Sequence, residues 1–96
     1  MIILKFYIAS GLQNRESVQY IAKSLVNEGF THTYDWTNNN RASTVEELCS
    51  VGEHEREGVA DASFLIVLLP GGKGTHVELG MALAARRKVY LYSPDD

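Results

Sequence analysis

The sequence lacks most of what staples, anchors or charges a small protein for a special task. Cys49 is its one cysteine, so no internal disulfide can form and no cysteine zinc cluster can be built. His32, His54 and His76 do not have metal-ligand spacing, and neither a metal nor any other cofactor is expected. No apolar run approaches the roughly 20 residues that a membrane helix needs. The apolar start Met1-Ile2-Ile3-Leu4 is interrupted by Lys5, and no small-residue cleavage site follows. Positive charge is not in excess: 9 Lys and Arg face 12 Asp and Glu, a net charge of −3, which weighs against a nucleic-acid-binding module. Small nucleotide ligands stay open, because local geometry decides those. There is no repeat, no low-complexity tract and no internal domain boundary. A hydrophobic share of 45% with 22% charged residues disfavours disorder. What remains is one folded domain, 1–96, expected to be soluble and cytoplasmic.

What is present alternates between two periods. Ile2 to Ala9 is a nearly unbroken β-branched and aromatic run, the pattern of a strand buried on both faces in a parallel sheet. Val18, Ile21, Ala22, Leu25 and Val26 recur at helical spacing up to Gly29. Phe30 to Asp35 mixes β-branched, aromatic and polar residues, as an edge strand does, and Trp36 to Ala42 is a polar loop. Two overlapping capping boxes, Ser43 with Glu46 and Thr44 with Glu47, start a second helix carrying Val45, Leu48 and Cys49 inward, with Gly52 expected to bend or split it before Val59 and Ala60. Phe64 to Leu69 is the strongest buried strand. Pro70-Gly71-Gly72-Lys73-Gly74 ends it, Thr75 is expected to open a helix through Ala85, and Val89 to Tyr92 is a last strand stopped by Pro94. The order β-α-β-α-β-α-β with short connections implies right-handed crossovers and a parallel sheet.

In such sheets ligands sit beyond the carboxyl ends of the strands, where strand order reverses. Three segments converge there. The first strand supplies Tyr7, Ser10, Gly11 and Asn14, and the second supplies Asp35 and Trp36. The third supplies Gly71, Gly72, Gly74 and Thr75. A strand, then Pro-Gly-Gly-Lys-Gly-Thr, then a helix makes an anion or phosphate cradle of backbone N–H groups, although a turn of this kind also occurs for structural reasons alone. The loop is neither a Walker motif nor a dinucleotide fingerprint, which would need glycine at Val77. Thr75-His76-Val77-Glu78 reads as a capping box in its own right, so Glu78 either caps its helix or presents an ionised carboxylate at the crevice mouth. Glu53, Glu55, Glu57 and Asp61 are either a solvated helix face or a crowd of acids able to raise one another's pKa. Trp36 either stacks on a base or covers the sheet edge.

Taken together, Tyr7-Ile8-Ala9-Ser10, the carboxylate cluster before the third strand, and Gly74-Thr75-His76-Val77-Glu78-Leu79-Gly80-Met81-Ala82 resemble the nucleoside 2-deoxyribosyltransferase family, which includes the 2-deoxynucleoside 5-phosphate N-hydrolases. The resemblance runs over nearly the whole chain. It implies an α/β fold, a small doubly wound (flavodoxin- or Rossmann-like) parallel sheet of about four strands in order 2-1-3-4 with helices on both faces. It implies cleavage or transfer at the N-glycosidic bond between a base and 2-deoxyribose, in a (2-deoxy)nucleoside or its 5-monophosphate. Glu78 falls on the nucleophilic glutamate and Tyr7 on the tyrosine that orients it. Counting back from Ser63 places the family's second carboxylate at Glu55, where glutamate replaces the usual aspartate, while counting from Asp61 gives Glu53. On this resemblance the second carboxylic acid is expected to protonate the leaving base, and Gly71 to Thr75 are the candidates to bind a 5-phosphate if the substrate is a nucleotide.

The stretch Pro70-Gly71-Gly72-Lys73-Gly74-Thr75-His76-Val77-Glu78 also resembles P-G-G-x-G-T-x-x-E, the signature of cytokinin-activating phosphoribohydrolases, which break the same kind of bond with a glutamate at this point. Other readings are a nucleotide-binding protein of the same fold without turnover, and a structural domain in which Glu78 only caps. A four-stranded sheet with an open edge is marginal alone, so a homodimer or higher homo-oligomer with the crevice near its interface is expected.

Overall fold

The computed structural model describes residues 4–38 and 45–93. In order these form β1 (Lys5–Ser10), a turn of 3-10 helix (Leu12–Asn14), α1 (Arg15–Asn27), β2 (Thr31–His32), a second 3-10 turn (Trp36–Asn38), α2 (Val45–Asp61), β3 (Phe64–Leu68), α3 (Lys73–Ala84) and β4 (Lys88–Tyr92). All pairings are parallel and the sheet order is β2-β1-β3-β4. Right-handed crossovers in that order place α1 on one face and α2 with α3 on the other. Accordingly α1 packs on β1 and β2, while α2 and α3 pack on each other and on the middle of the sheet. No helix among the described residues is long and apolar enough to cross a membrane.

The central strand explains the apolar run. Phe6, Tyr7, Ile8 and Ala9 are wholly buried because β1 has a strand on each side and a helix over each face. Leu65, Val67 and Leu68 of β3, Val18 and Ala22 of α1, Val59 of α2, Ala82 of α3, and Trp36 and Ala62 from the connections join them in the core. Gly29 ends α1 with φ 100°, the left-handed conformation expected of a glycine just past a helix. Among the described residues α1 alone lies on its face of the sheet and leaves the β3–β4 half of that face open, and Tyr90 and Tyr92 stand 52% and 58% exposed.

Three boundaries differ from expectation. The second strand contains only Thr31 and His32. Beyond them Thr33 turns its hydroxyl to the Gly58 carbonyl, and the chain leaves the sheet. Gly52 neither bends nor splits α2, which runs unbroken from Val45 to Asp61: the glycine has open space around it and φ needs no special value, so it only weakens the helix, by about 1 kcal/mol. α3 starts at Lys73 with Gly72 as its N-cap, two residues before Thr75. Ser43 and Thr44, expected to cap α2, and Pro94 lie outside the described residues.

Candidate active site

The point where strand order reverses lies between β1 and β3, whose ends pair at Ser10 and Leu68. Here α1 leaves on one side and α3 on the other, which opens a cleft of about 390 Å³. Ser10 and Gly11 line it from β1, and Glu55 from α2. Gly71, Gly72, Gly74, Thr75 and Glu78 line it from the β3–α3 turn and the helix after it. Leu12 and Gln13 also line it, and neither was singled out in the sequence. The signal was there: the turn after a first strand faces the same edge as the strand's last residue.

At the floor, the wholly buried Tyr7 donates its hydroxyl to Glu78 Oε2 at 2.6 Å. Glu78 itself is 9% exposed. Because α3 begins at Lys73, Thr75 and Glu78 both sit inside the helix and the expected capping box is not formed. Glu78 points inward to Tyr7 instead. The carboxylate is also past the first turn, where the helix dipole is strongest, so the dipole does not hold its pKa down as expected. Burial dominates and pushes it up to about 7, the Tyr7 hydrogen bond pulls it back, and the charge of Glu55 adds to the rise. The Tyr7 hydroxyl is pushed up by burial and by the charge of Glu78, which keeps it a donor at all ordinary pH.

Glu55 is half-buried, and burial also raises its pKa. The crowd of acids read from the sequence is not what does this. Glu53 and Glu57 are exposed, and Asp61 pairs with Lys5 Nζ at 3.2 Å near the opposite end of β1. Helical spacing puts Glu53, Glu57 and Asp61 on one side of α2 and Glu55 on another, and Glu55 alone of the four lines the cleft.

Close approach shapes the rim. A Cβ on Gly71 would lie 2.5–2.7 Å from three side-chain atoms of the buried Thr75, so only glycine fits. Gly72 and Gly74 have open space around them. Asn14 sits beside the cleft and ties its two walls, donating from Nδ2 to Ser10 Oγ (2.8 Å) and Pro70 O (3.0 Å). Ser10 Oγ in turn donates to Leu68 O at 2.8 Å.

Asp35 and Trp36, expected in the same crevice, stand apart from it. Trp36 is 7% exposed and its indole N–H donates to Ile8 O at 2.7 Å, so it covers the sheet edge. Asp35 accepts from the Thr37 N–H at 3.0 Å and lines a separate depression with Gln19, Lys23 and His32. The early end of β2 is the cause: the chain turns over α1 before reaching the cleft.

No protein-family model matches the chain, and no curated protein matches it in sequence. Among solved structures it is similar in fold to the CMP N-glycosidase BcmB of Clostridium botulinum. The TM-score is 0.61 and the identity 19%, over 93% of this chain and 71% of that one.

Proposed function

We propose that this chain is an N-glycosidase that breaks, by hydrolysis or transfer, the bond between base and sugar in a nucleoside or nucleoside 5-monophosphate. The observation that carries the reading is the buried Tyr7–Glu78 hydrogen bond at the floor of a cleft that Glu55 also lines. The likeness in fold to a CMP N-glycosidase supports it.

In the first step a lone pair of ionised Glu78 attacks C1 of the sugar as the C1–N bond breaks, and the bond's electron pair leaves with the base. Glu55, whose neutral form burial favours, is the acid placed to pass a proton to the departing nitrogen in the fraction of molecules that carry it. Water then attacks C1 and gives a proton back to Glu55, and the C1–O bond pair returns to Glu78. A second base in place of water makes the reaction a transfer. Tyr7 holds one carboxylate oxygen by its hydrogen bond, leaving the other free to face the sugar. The N-terminus of α3 at Gly72 to Thr75 faces the same cleft, where backbone N–H groups and the Thr75 hydroxyl suit a 5-phosphate.

Incubation with a panel of nucleosides and 5-monophosphates of both ribose and deoxyribose, followed by chromatography, is expected to release free base from at least one of them. Thermal stabilisation by a nucleotide without base release from any would instead mark a binding protein of the same fold.

A further inference from the structure

A buried glycine in a helix interior costs about 1 kcal/mol against alanine and needs a packing reason. Gly58 on α2 has one, whereas Gly52 on the same helix does not. A Cβ at position 58 would lie 2.9 Å from Tyr34 Cβ and 3.1 and 3.2 Å from Tyr7 Cδ2 and Cε2, while nothing comes within 4 Å of a Cβ at position 52. Helix α2 therefore touches the rigid ring of Tyr7, the same ring whose hydroxyl holds Glu78. Tyr34 cannot yield easily, since the close atom is next to its backbone and its ring is stacked on His54 with centroids 5.5 Å apart.

The contact is clamped from the other side. The Gly58 carbonyl is one of the last four of α2, which lack helical partners. The N–H of Ala62 turns to Val59 O, and Thr33 Oγ1 donates to Gly58 O at 2.7 Å. Glu55 precedes Gly58 by three residues, on the same side of the helix. The place where α2 meets β1 thus fixes the lateral position of Tyr7 and the distance Glu55 reaches into the cleft.

We infer that Gly58, held by Thr33, is a positioning residue that sets the Tyr7–Glu78 hydrogen bond and the placement of Glu55 together. The inference rests on the reading of Glu78 and Glu55 as the two working carboxylates, and it deepens that reading by naming what aligns them.

The test is Gly58→Ala in the full chain, with the Glu78 carboxyl titrated by NMR. The titratable groups acting on Glu78 are Tyr7 and Glu55. A Cβ that pushes the Tyr7 ring aside by a few tenths of an ångström stretches the 2.6 Å hydrogen bond that pulls the Glu78 pKa down. The midpoint is therefore expected to rise above the wild-type value, with kcat falling at least ten-fold and KM changing less. An unshifted midpoint in folded Gly58→Ala overturns the inference. Should that variant not fold, Thr33→Val removes the clamp without adding volume and Thr33→Ser restores it. A raised midpoint in the first and a wild-type midpoint in the second are expected, and identical midpoints in the two overturn the inference. The titration needs no turnover: a wild type that releases no base from any nucleotide defeats the functional reading, while the midpoints still decide the role of Gly58.

Discussion

Tyr7 and Glu78 are 71 residues apart in sequence, yet the phenol hydroxyl of one donates to the carboxylate of the other at 2.6 Å in a buried site. A carboxylate placed there is stabilised by one hydrogen bond and opposed by burial and by a second acid.

Tyr7→Phe keeps the ring that packs on Gly58 and removes only the donor. The pKa of Glu78 is expected to rise above about 7, since the Tyr7 hydrogen bond is the contribution holding it down. The acid limb of the rate profile should move to higher pH, and kcat should fall by about ten- to a hundred-fold. A superimposable pH profile would contradict the assignment of Tyr7.

Glu78→Gln should lose activity and gain stability. The folded pKa of Glu78, about 7, lies above the unfolded value of 4.5, so between those values the native state keeps a proton that the unfolded state gives up. Stability is therefore lost as pH rises from about 4.5 to about 7 and stays low above that. The penalty at pH 8 is about 3 kcal/mol. Glutamine carries no charge and can still accept from Tyr7, so the variant should melt above the wild type at pH 8 and close to it at pH 4. Thermal melts at the two pH values check this.

Glu55→Gln removes the proposed proton donor and leaves the proposed nucleophile. Loss of kcat by roughly a hundred-fold or more is expected for bases that need protonation to leave. The loss should be much smaller for substrates whose leaving group departs unprotonated. Equal loss across both kinds would contradict the role of Glu55 as acid.

Gly71→Ala forces a methyl group against Thr75 at the rim. If that rim takes a 5-phosphate, KM for a nucleoside 5-monophosphate should rise at least ten-fold, while KM for the matching nucleoside changes little. Steady-state kinetics on the two substrates separate these.

Much of the fold was legible in the sequence because it rests on local patterns. The apolar run in β1, the helical spacing of Val18 to Val26 and the glycine turn after β3 each declare their element, and chirality orders the strands. Asp35 and Trp36 were not placed correctly, because their position depends on where β2 ends. A tertiary bond from Thr33 to Gly58 fixes that end, and no periodicity reveals it. The pKa of Glu78 was hidden for a related reason. Motif spacing suggested a cap at the helix dipole, but α3 starts earlier at Lys73 and turns the carboxylate into the core. The packing role of Gly58 needed the assembled helix and sheet to be seen.

The central claim is that Glu78 carries the chemistry. The most direct measurement is single-turnover base release by wild type and by folded Glu78→Gln at pH 8, using whichever nucleotide the wild type cleaves. Base release is expected from the wild type and none above background from the variant, whose melting temperature should be at or above that of the wild type. Base release by the folded variant at a rate near that of the wild type would contradict it.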